Sequence, residues 1–462
     1  MQTIKEANKN VSLIWRSPAP SQSVYRPMKY LLKHQVDDGT LLYNVVTSEM
    51  ILLDDNEARV FEGLPAMYCP EMDELIAKHY IVKEDFEEKK SVQQLRALLK
   101  KLNPSKRVTG FTILPTTECN ARCYYCFESD HKRCTMTEET VSGVVEYIAK
   151  MCKGDPVEIS WFGGEPLVGR KIIQQICKGL RQKEIPFKSS MVSNAYLFDE
   201  DLIKKAKEEW LLLNVQITLD GTEAVYNATK AYVNPKDNPY QRVLKNIGDL
   251  LAAGISVTIR LNVSSRNMDD LKILIDELAE RFVGKKGLGC YSHAVYEDVG
   301  FDPLKYDDSM RETVDRQVVA IDEKLREKGL LGSLSKLPYL RYMSCMADND
   351  SCRIIYPDGV IGKCENRPSL DGIGDIYRDI TDYEKDAWYK AVDDIPDCYD
   401  CCLYPYCMNL SFCPETGHCS KNKKEWKTGR YTGLLQKTYM KHQQDDSHMK
   451  EEDPTLNEEC ES

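Results

Sequence analysis

The sequence predicts an α/β protein centred on a partial (β/α)6 barrel, with a winged-helix-like module before it and a cysteine-rich domain after it. Three observations carry that reading: regular strand-and-helix units fill residues 106–298, strands followed by helices fill 25–105, and cysteines crowd 345–419. In the first block, candidate strands at 29–35 and 41–53 flank an Asp37-Asp38-Gly39 turn. Apolar spacing of three and four then marks helices at 57–62, 72–79 and 93–102, with a short strand at 81–82. In the second block, strands are expected at 110–114, 157–162, 188–193, 214–219, 256–263 and 289–296. Helices are expected between them at 138–151, 171–182, 199–209, 239–253 and 268–282, several opened by Asp, Asn or Thr caps. Six such units predict a parallel sheet but fall short of eight-stranded closure, hence a partial barrel with its site at the C-terminal strand ends. Residues 299–436 form the bridging and cysteine-rich region, and the polar, acidic stretch 437–462 reads as a disordered tail.

Composition narrows the function classes. At 42% apolar residues the 462-residue chain can build ordinary globular cores. A net charge of −11 argues against affinity for nucleic-acid phosphates. The best apolar run, 211–219, is broken by Asn214, Gln216 and Thr218, so no membrane span is expected. The first fifteen residues are polar and carry no signal core. Eighteen cysteines are therefore expected in the cytoplasm, as ligands and core thiols rather than disulfides.

The most specific feature is Cys119-Asn-Ala-Arg-Cys123-Tyr-Tyr-Cys126, directly after the first barrel strand. A [4Fe–4S] cluster takes one cysteine per iron, so a three-cysteine set leaves one iron open to a small molecule. Structural zinc favours paired CxxC units with four ligands, and no fourth Cys or His stands at matching spacing; His131 and Cys134 read as bystanders. The triplet resembles the CxxxCxxC loop of the radical S-adenosylmethionine (SAM) superfamily, including an aromatic, Tyr125, before the last cysteine. That resemblance implies SAM on the open iron and its reductive cleavage to a 5′-deoxyadenosyl radical.

Later segments extend it. The second strand ends in Gly163-Gly164-Glu165-Pro166, similar to the motif that holds the SAM amino group, and the third in Ser193-Asn194, similar to the segment beside the SAM ribose. Asp220-Gly221 closes the fourth strand, and Lys230 stands where relatives carry an arginine for the SAM carboxylate. Lysine supplies a point charge there without a bidentate fork, and Arg260 on the fifth strand is a second cationic candidate.

Cys352 and Cys364 bracket an Asp358-Gly359 hairpin turn, and Cys398, Cys401 and Cys407 follow at spacings that resemble the SPASM extension of this superfamily. The resemblance implies two auxiliary [4Fe–4S] clusters, one on Cys345, Cys352, Cys364 and Cys413, the other on Cys398, Cys401, Cys407 and Cys419. The five residues between Cys407 and Cys413, and the short step to Cys419, depart from the family pattern. Cys402 either exchanges with Cys401 or is a bystander. Glu365, next to Cys364, stands where sulfatase-type relatives place an acid that takes a substrate proton; it is equally readable as a surface carboxylate.

SPASM enzymes act on ribosomal peptides or on proteins. The resemblance therefore implies an enzyme that cross-links a ribosomally made precursor peptide, with a cysteine thioether the leading bond and carbon–carbon or carbon–oxygen bonds open. Residues 25–105 would bind the leader along an exposed strand edge at 41–47, and flavodoxin or ferredoxin would supply electrons. Two alternatives stand beside this: oxidation of a Cys or Ser to formylglycine, and a non-catalytic iron–sulfur electron carrier.

Overall fold

The structure is a computed structural model and describes residues 1–15, 19–102, 107–129, 132–264, 266–295, 308–332, 336–343, 345–365, 367, 372–389, 398, 400–408 and 421–452. The N-terminal module runs β1 (Gln2–Lys5), α1 (Lys9–Ile14), β2 (Val24–Pro27), β3 (Leu31–Val36), β4 (Gly39–Asn44), β5 (Met50–Leu53), α2 (Asp55–Glu62), β6 (Ala66–Met67), α3 (Asp73–Ala77), β7 (Ile81–Lys83) and α4 (Glu88–Leu102). Its main sheet is antiparallel in the order β1-β5-β4-β3, and β6-β2-β7 form a smaller one. The module thus begins at residue 2 rather than 25. The expected strand 41–53 is two strands, because Asn44 accepts from the backbone of Val46 and Thr47 and Ser48 adopts φ 64° to close a tight turn. This also corrects the expected binding edge: β4 lies inside the sheet, paired on both sides, and the free edges belong to β1 and β3.

The barrel follows as β8 (Gly110–Ile113), α5 (Glu138–Cys152), β9 (Val157–Trp161), α6 (Arg170–Gln182), β10 (Phe187–Ser193), α7 (Glu200–Glu208), β11 (Leu212–Leu219), α8 (Glu223–Lys230), α9 (Pro239–Ala252), β12 (Ser256–Val263), α10 (Met268–Phe282), β13 (Leu288–Ala294) and α11 (Asp308–Glu327). Side-chain caps start these helices where the sequence placed them: Thr137 accepts from Thr140 N, Asp199 from Leu202 N, and Asn238 precedes Pro239 at the first turn of α9. On β11 the alternate residues Val215, Ile217 and Leu219 are fully buried against the helices, which turns Asn214, Gln216 and Thr218 to the opposite, polar face. Helix α8 was not anticipated.

The C-terminal region adds β14 (Cys352–Ile355), β15 (Val360–Gly362), β16 (Gly374–Asp375), β17 (Asp379–Ile380), α12 (Tyr383–Trp388) and α13 (Lys421–Glu452). The hairpin between Cys352 and Cys364 is present, and β14 also pairs in parallel with β8, Cys352 beside Gly110. One open sheet therefore runs β13-β12-β11-β10-β9-β8-β14-β15-β16-β17, a partial barrel extended on its first-strand side. The chain is helical through Glu452 where a disordered tail was expected from 437. Tyr431, Leu435 and Tyr439 of α13 pack on Ile4, Leu32, Leu41 and Tyr43 of the N-terminal sheet. Among the described residues no helix is long and apolar enough to cross a membrane.

Candidate active site

The cysteine triplet lies on the loop leaving the C-terminal end of β8, and every neighbouring strand end is bonded to it. Leu114 N donates to Ile355 O on β14, Thr117 N to Cys134 O, and Glu165 N to Glu118 O. Gly163, at φ 109°, admits no side chain, because a Cβ there would strike the Thr116 carbonyl; at Gly164 it would lie 2.6 Å from the Thr117 and Glu118 carbonyls. The paired glycines thus make room for the cysteine loop itself. Asn120 accepts from Asn194 Nδ2 at 2.7 Å and from Val233 N, and Arg122 N donates to Lys230 O.

Two buried carboxylates organise the site. Glu165, 1% exposed, accepts through Oε1 from Leu167 N (3.0 Å) and Ser193 Oγ (2.9 Å) and through Oε2 from Asn194 N (2.8 Å). Burial pushes it up to about 7, and those three donors hold it back from rising further. The three residues that the sequence grouped with SAM, Glu165, Ser193 and Asn194, therefore do converge. Asp220 forms the other centre: Tyr125 donates to Oδ1 at 2.6 Å, Asn262 at 3.0 Å, and Lys230 pairs with Oδ2 at 3.0 Å. Lys230 also donates to Tyr125 at 3.0 Å. Burial works against its charge, but Asp220, Tyr125 and Cys123 outweigh it and hold Lys230 well above the ordinary lysine value. Its ammonium is a fixed charge beneath the triplet.

The thiols themselves are hard to ionise without a cation. Burial, with the Glu165 charge second, pushes Cys119 up to about 12, and burial pushes Cys126 up to about 11. Burial also raises Cys123, while Lys230 pulls it back. A soft metal that displaces three protons suits such a set. Among the described residues, no three His, Cys, Asp or Glu side chains are already gathered into a metal cage.

Arg260 lies level with Thr218 and Tyr291 across β11, β12 and β13, and bonds Asn262 Oδ1 at 3.0 Å and His293 Nδ1 at 2.8 Å. It belongs to the polar barrel face. His293, Asn120 and Asn262 were missed by sequence reading, as was Glu128, pushed up to about 7 by burial. Asp220 had a signal, the Asp-Gly end of a strand.

A family model described as the Radical SAM superfamily matches residues 113–278, the span from the end of the first strand into α10 that carries the cysteine triplet, Glu165, Ser193, Asn194, Asp220, Lys230 and Arg260, with His293 beyond it. Residues 113–278 are thus a radical SAM domain. No curated protein matches it. Among solved structures, anSMEcpe with bound AdoMet aligns with TM-score 0.55 at 15% identity, covering 73% of this chain and 96% of that one. The same protein with AdoMet and the Cp18Cys peptide gives 0.54 at 14%, covering 73% and 99%. Streptococcus suis SuiB bound to the precursor peptide SuiA aligns at 0.45 and 16%, over 83% and 94%. At these identities the likeness is one of fold.

In radical SAM terms, the donor chemistry fits: three thiols on one loop for iron, and Glu165 with the Ser193-Asn194 strand end beside them. The later cysteines divide into two places. Cys352 starts β14 next to the first residue of β8, and Cys364 follows β15, which runs antiparallel to β14. Cys345 lies near enough to Cys352 for its charge to be felt there, and it feels Glu365. This set, with Glu365, therefore gathers at the N-terminal end of the sheet, the length of β8 (about 10 Å) and more from the triplet end. Burial raises the Glu365 carboxyl. Cys398, Cys401, Cys402 and Cys407 instead pack against the N-terminal module and α13. Cys402 hydrogen-bonds Cys401 and pulls that thiol down to about 6. Cys413 and Cys419 lie outside the described residues.

Proposed function

We propose that this protein takes hydrogen from a ribosomally made precursor peptide and installs an intramolecular cross-link, a cysteine thioether being the leading bond. The observation that carries the reading is the cysteine triplet, stitched at the strand ends to Glu165 and to the buried Asp220–Lys230 pair. When bound, the cluster and SAM would supply the electron and the 5′-deoxyadenosyl radical. Cys119, Cys123 and Cys126 would hold the iron, Glu165 would receive the SAM ammonium beside Ser193 and Asn194, and Gly163 and Gly164 keep the loop close enough for both. Lys230 and Arg260 would be the candidate cations for the SAM carboxylate. The two C-terminal cysteine sets would carry auxiliary clusters, giving about twelve irons per chain. Flavodoxin or ferredoxin would be the electron donor, and the reducing cytoplasm the compartment.

The polar barrel face, with Gln216, Arg260 and His293, suits the amides of a peptide better than an apolar substrate. Glu365, in this reading, accepts the proton released as the peptide is oxidised. The test is anaerobic turnover of the reconstituted enzyme with SAM, a reductant and the product of a short cysteine-rich reading frame beside the gene. The expected product lacks two hydrogens and carries one thiol fewer, and Glu365→Gln slows its formation while 5′-deoxyadenosine still accumulates. Deoxyadenosine without any change in the peptide would reject the reading. One observation favours formylglycine formation instead: the N-terminal module is built into the C-terminal region, as a scaffold would be. An aldehyde captured by a hydrazide reagent would decide for it.

A further inference from the structure

Arg96 stands in the middle of α4. It is 3% exposed, and its guanidinium is turned to main-chain carbonyls far away in sequence. Nε donates to Arg341 O at 2.9 Å. Nη2 donates to Tyr404 O at 2.8 Å, Pro405 O at 3.1 Å and Cys407 O at 2.8 Å. The cation also lies 4.9 Å above the Tyr404 ring, which meets Tyr30 at 5.7 Å.

The bonded carbonyls close a run of tight turns. Cys401 N donates to Cys398 O, Tyr404 N to Cys401 O, and both Tyr406 N and Cys407 N to Leu403 O. The carbonyls of 404, 405 and 407 come at the end of that run, where a helix would leave its last acceptors unpaired. Arg96 serves them as a basic side chain serves a helix C-terminus, from another domain. Around this grip, Leu403 (1% exposed) enters the core shared by β3, β4 and α13, Lys29 pairs with Asp400, and Tyr43 donates to Pro338 O at 2.8 Å.

We propose that the N-terminal module is a structural wall of the second auxiliary cysteine set and that Arg96 is its positioning residue. This rests on the reading of Cys398, Cys401 and Cys407 as cluster ligands. With the peptide planes of 404–407 fixed by one guanidinium, the segment holding three of those cysteines has a single geometry before metal arrives. Without it, the carbonyls of Tyr404, Pro405 and Cys407 lose a bond together, while Arg341 N still donates to Pro405 O at 3.0 Å. The module then governs metal content at the far end of the chain, whatever it binds itself.

The test uses the full chain in which Cys119, Cys123 and Cys126 are Ala, so that only auxiliary iron is counted, about eight per chain in the parent. Arg96→Met should fall to about four, losing one of two signals in the electron paramagnetic resonance spectrum of the reduced protein. Arg96→Lys, which keeps the charge but not the fork, should retain the fold by circular dichroism and still alter that same signal. Leu99→Ala, a packing loss on the same helix, should keep the iron and both signals. If Arg96→Met and Arg96→Lys match the parent, or if Leu99→Ala loses the same iron, the inference is overturned. Cys407→Ala separates the two levels. Iron lost there but kept in Arg96→Met overturns only the role of Arg96, whereas iron kept in Cys407→Ala overturns the ligand reading and this inference with it.

Discussion

The two cysteine loops of this chain are held in opposite ways. The Cys119 loop is stitched from within one domain: the ends of β8, β9, β10 and β11 and the last turn of α8 each bond to it, and its charges are a buried Asp–Lys pair and one buried Glu. Residues 400–408 are held from outside by Arg96, the Lys29–Asp400 pair and the apolar contacts of Leu403 and Tyr404 with a domain three hundred residues earlier, Arg96 lying 308 positions from Tyr404. The first loop has many redundant ties, the second a few that act together. Redundancy predicts tolerance to loss of any one main-chain tie, while concentration predicts a large loss when Arg96, which bonds three carbonyls of the segment, goes.

The largest break should therefore come from deleting residues 1–102. That removal uncovers Leu403, Tyr404, Tyr431, Leu435 and Tyr439, each large apolar side chain costing on the order of 1.5–3 kcal/mol when returned to water. Aggregation or loss of C-terminal iron is expected, measured by light scattering and metal analysis. A truncated chain that is monodisperse and fully metallated would show the module to be a detachable arm.

Next in size is the pair beneath the first loop. Asp220→Ala or Lys230→Met alone leaves one uncompensated charge in a site where Lys230 is 4% and Asp220 1% exposed, at a cost of about 3–5 kcal/mol. Asp220→Asn with Lys230→Met should recover much of that loss in thermal melts. Singles and double melting alike would mean that the pair is not coupled. Smaller again is Gly164→Ala, whose methyl would lie 2.6 Å from two carbonyls of the loop; overpacking of this kind costs about 1–3 kcal/mol. Iron at the triplet should drop while auxiliary iron stays. Equal metal content in both proteins would argue that the loop shifts freely.

The same contrast explains what could be read in advance. Strand 256–263 and helix 268–282 were placed at their observed bounds because alternation and helical spacing are local properties. So were the cysteines, Glu165 and Ser193, since a motif needs only its own residues. At 41–47 the missed feature was the turn at Asn44 to Ser48, which folds β5 back on β4 so that β4 is paired on both sides; the addition of β1 to the far side of β5 is the non-local part. Arg96 reads as one more solvated arginine on an amphipathic helix, because its acceptors lie 245 to 311 residues away. Helix α13 did leave a trace, Tyr431, Leu435 and Tyr439 at spacings of four, but its acidic surroundings masked it.

The smallest effect concerns the N-terminal module's own stability, and it has two opposing parts. His79 stacks on Trp15 with ring centres 4.1 Å apart and bonds Trp15 O through Nε2 at 3.1 Å; burial lowers its pKa below the ordinary 6.5, the bond to Trp15 opposing. Across the same cavity of about 430 Å³, burial raises Glu49 above 4.5, with Lys78 at 3.3 Å working against the shift. Below 6.5 the unfolded chain binds a proton at His79 that the folded one resists, so this group's contribution is lost as pH falls. Above 4.5 the unfolded chain releases the Glu49 proton first, so that contribution is lost as pH rises. Between 4.5 and 6.5 the two slopes oppose each other. His79→Phe, which keeps the stack, should leave stability falling with rising pH in this window, and Glu49→Gln should leave it falling with acid. Urea midpoints of the full chain at several pH values measure both. Parallel curves for the three proteins would mean that neither group titrates with folding, and that the module's stability, like the loop it supports, is set by its apolar contacts and by Arg96.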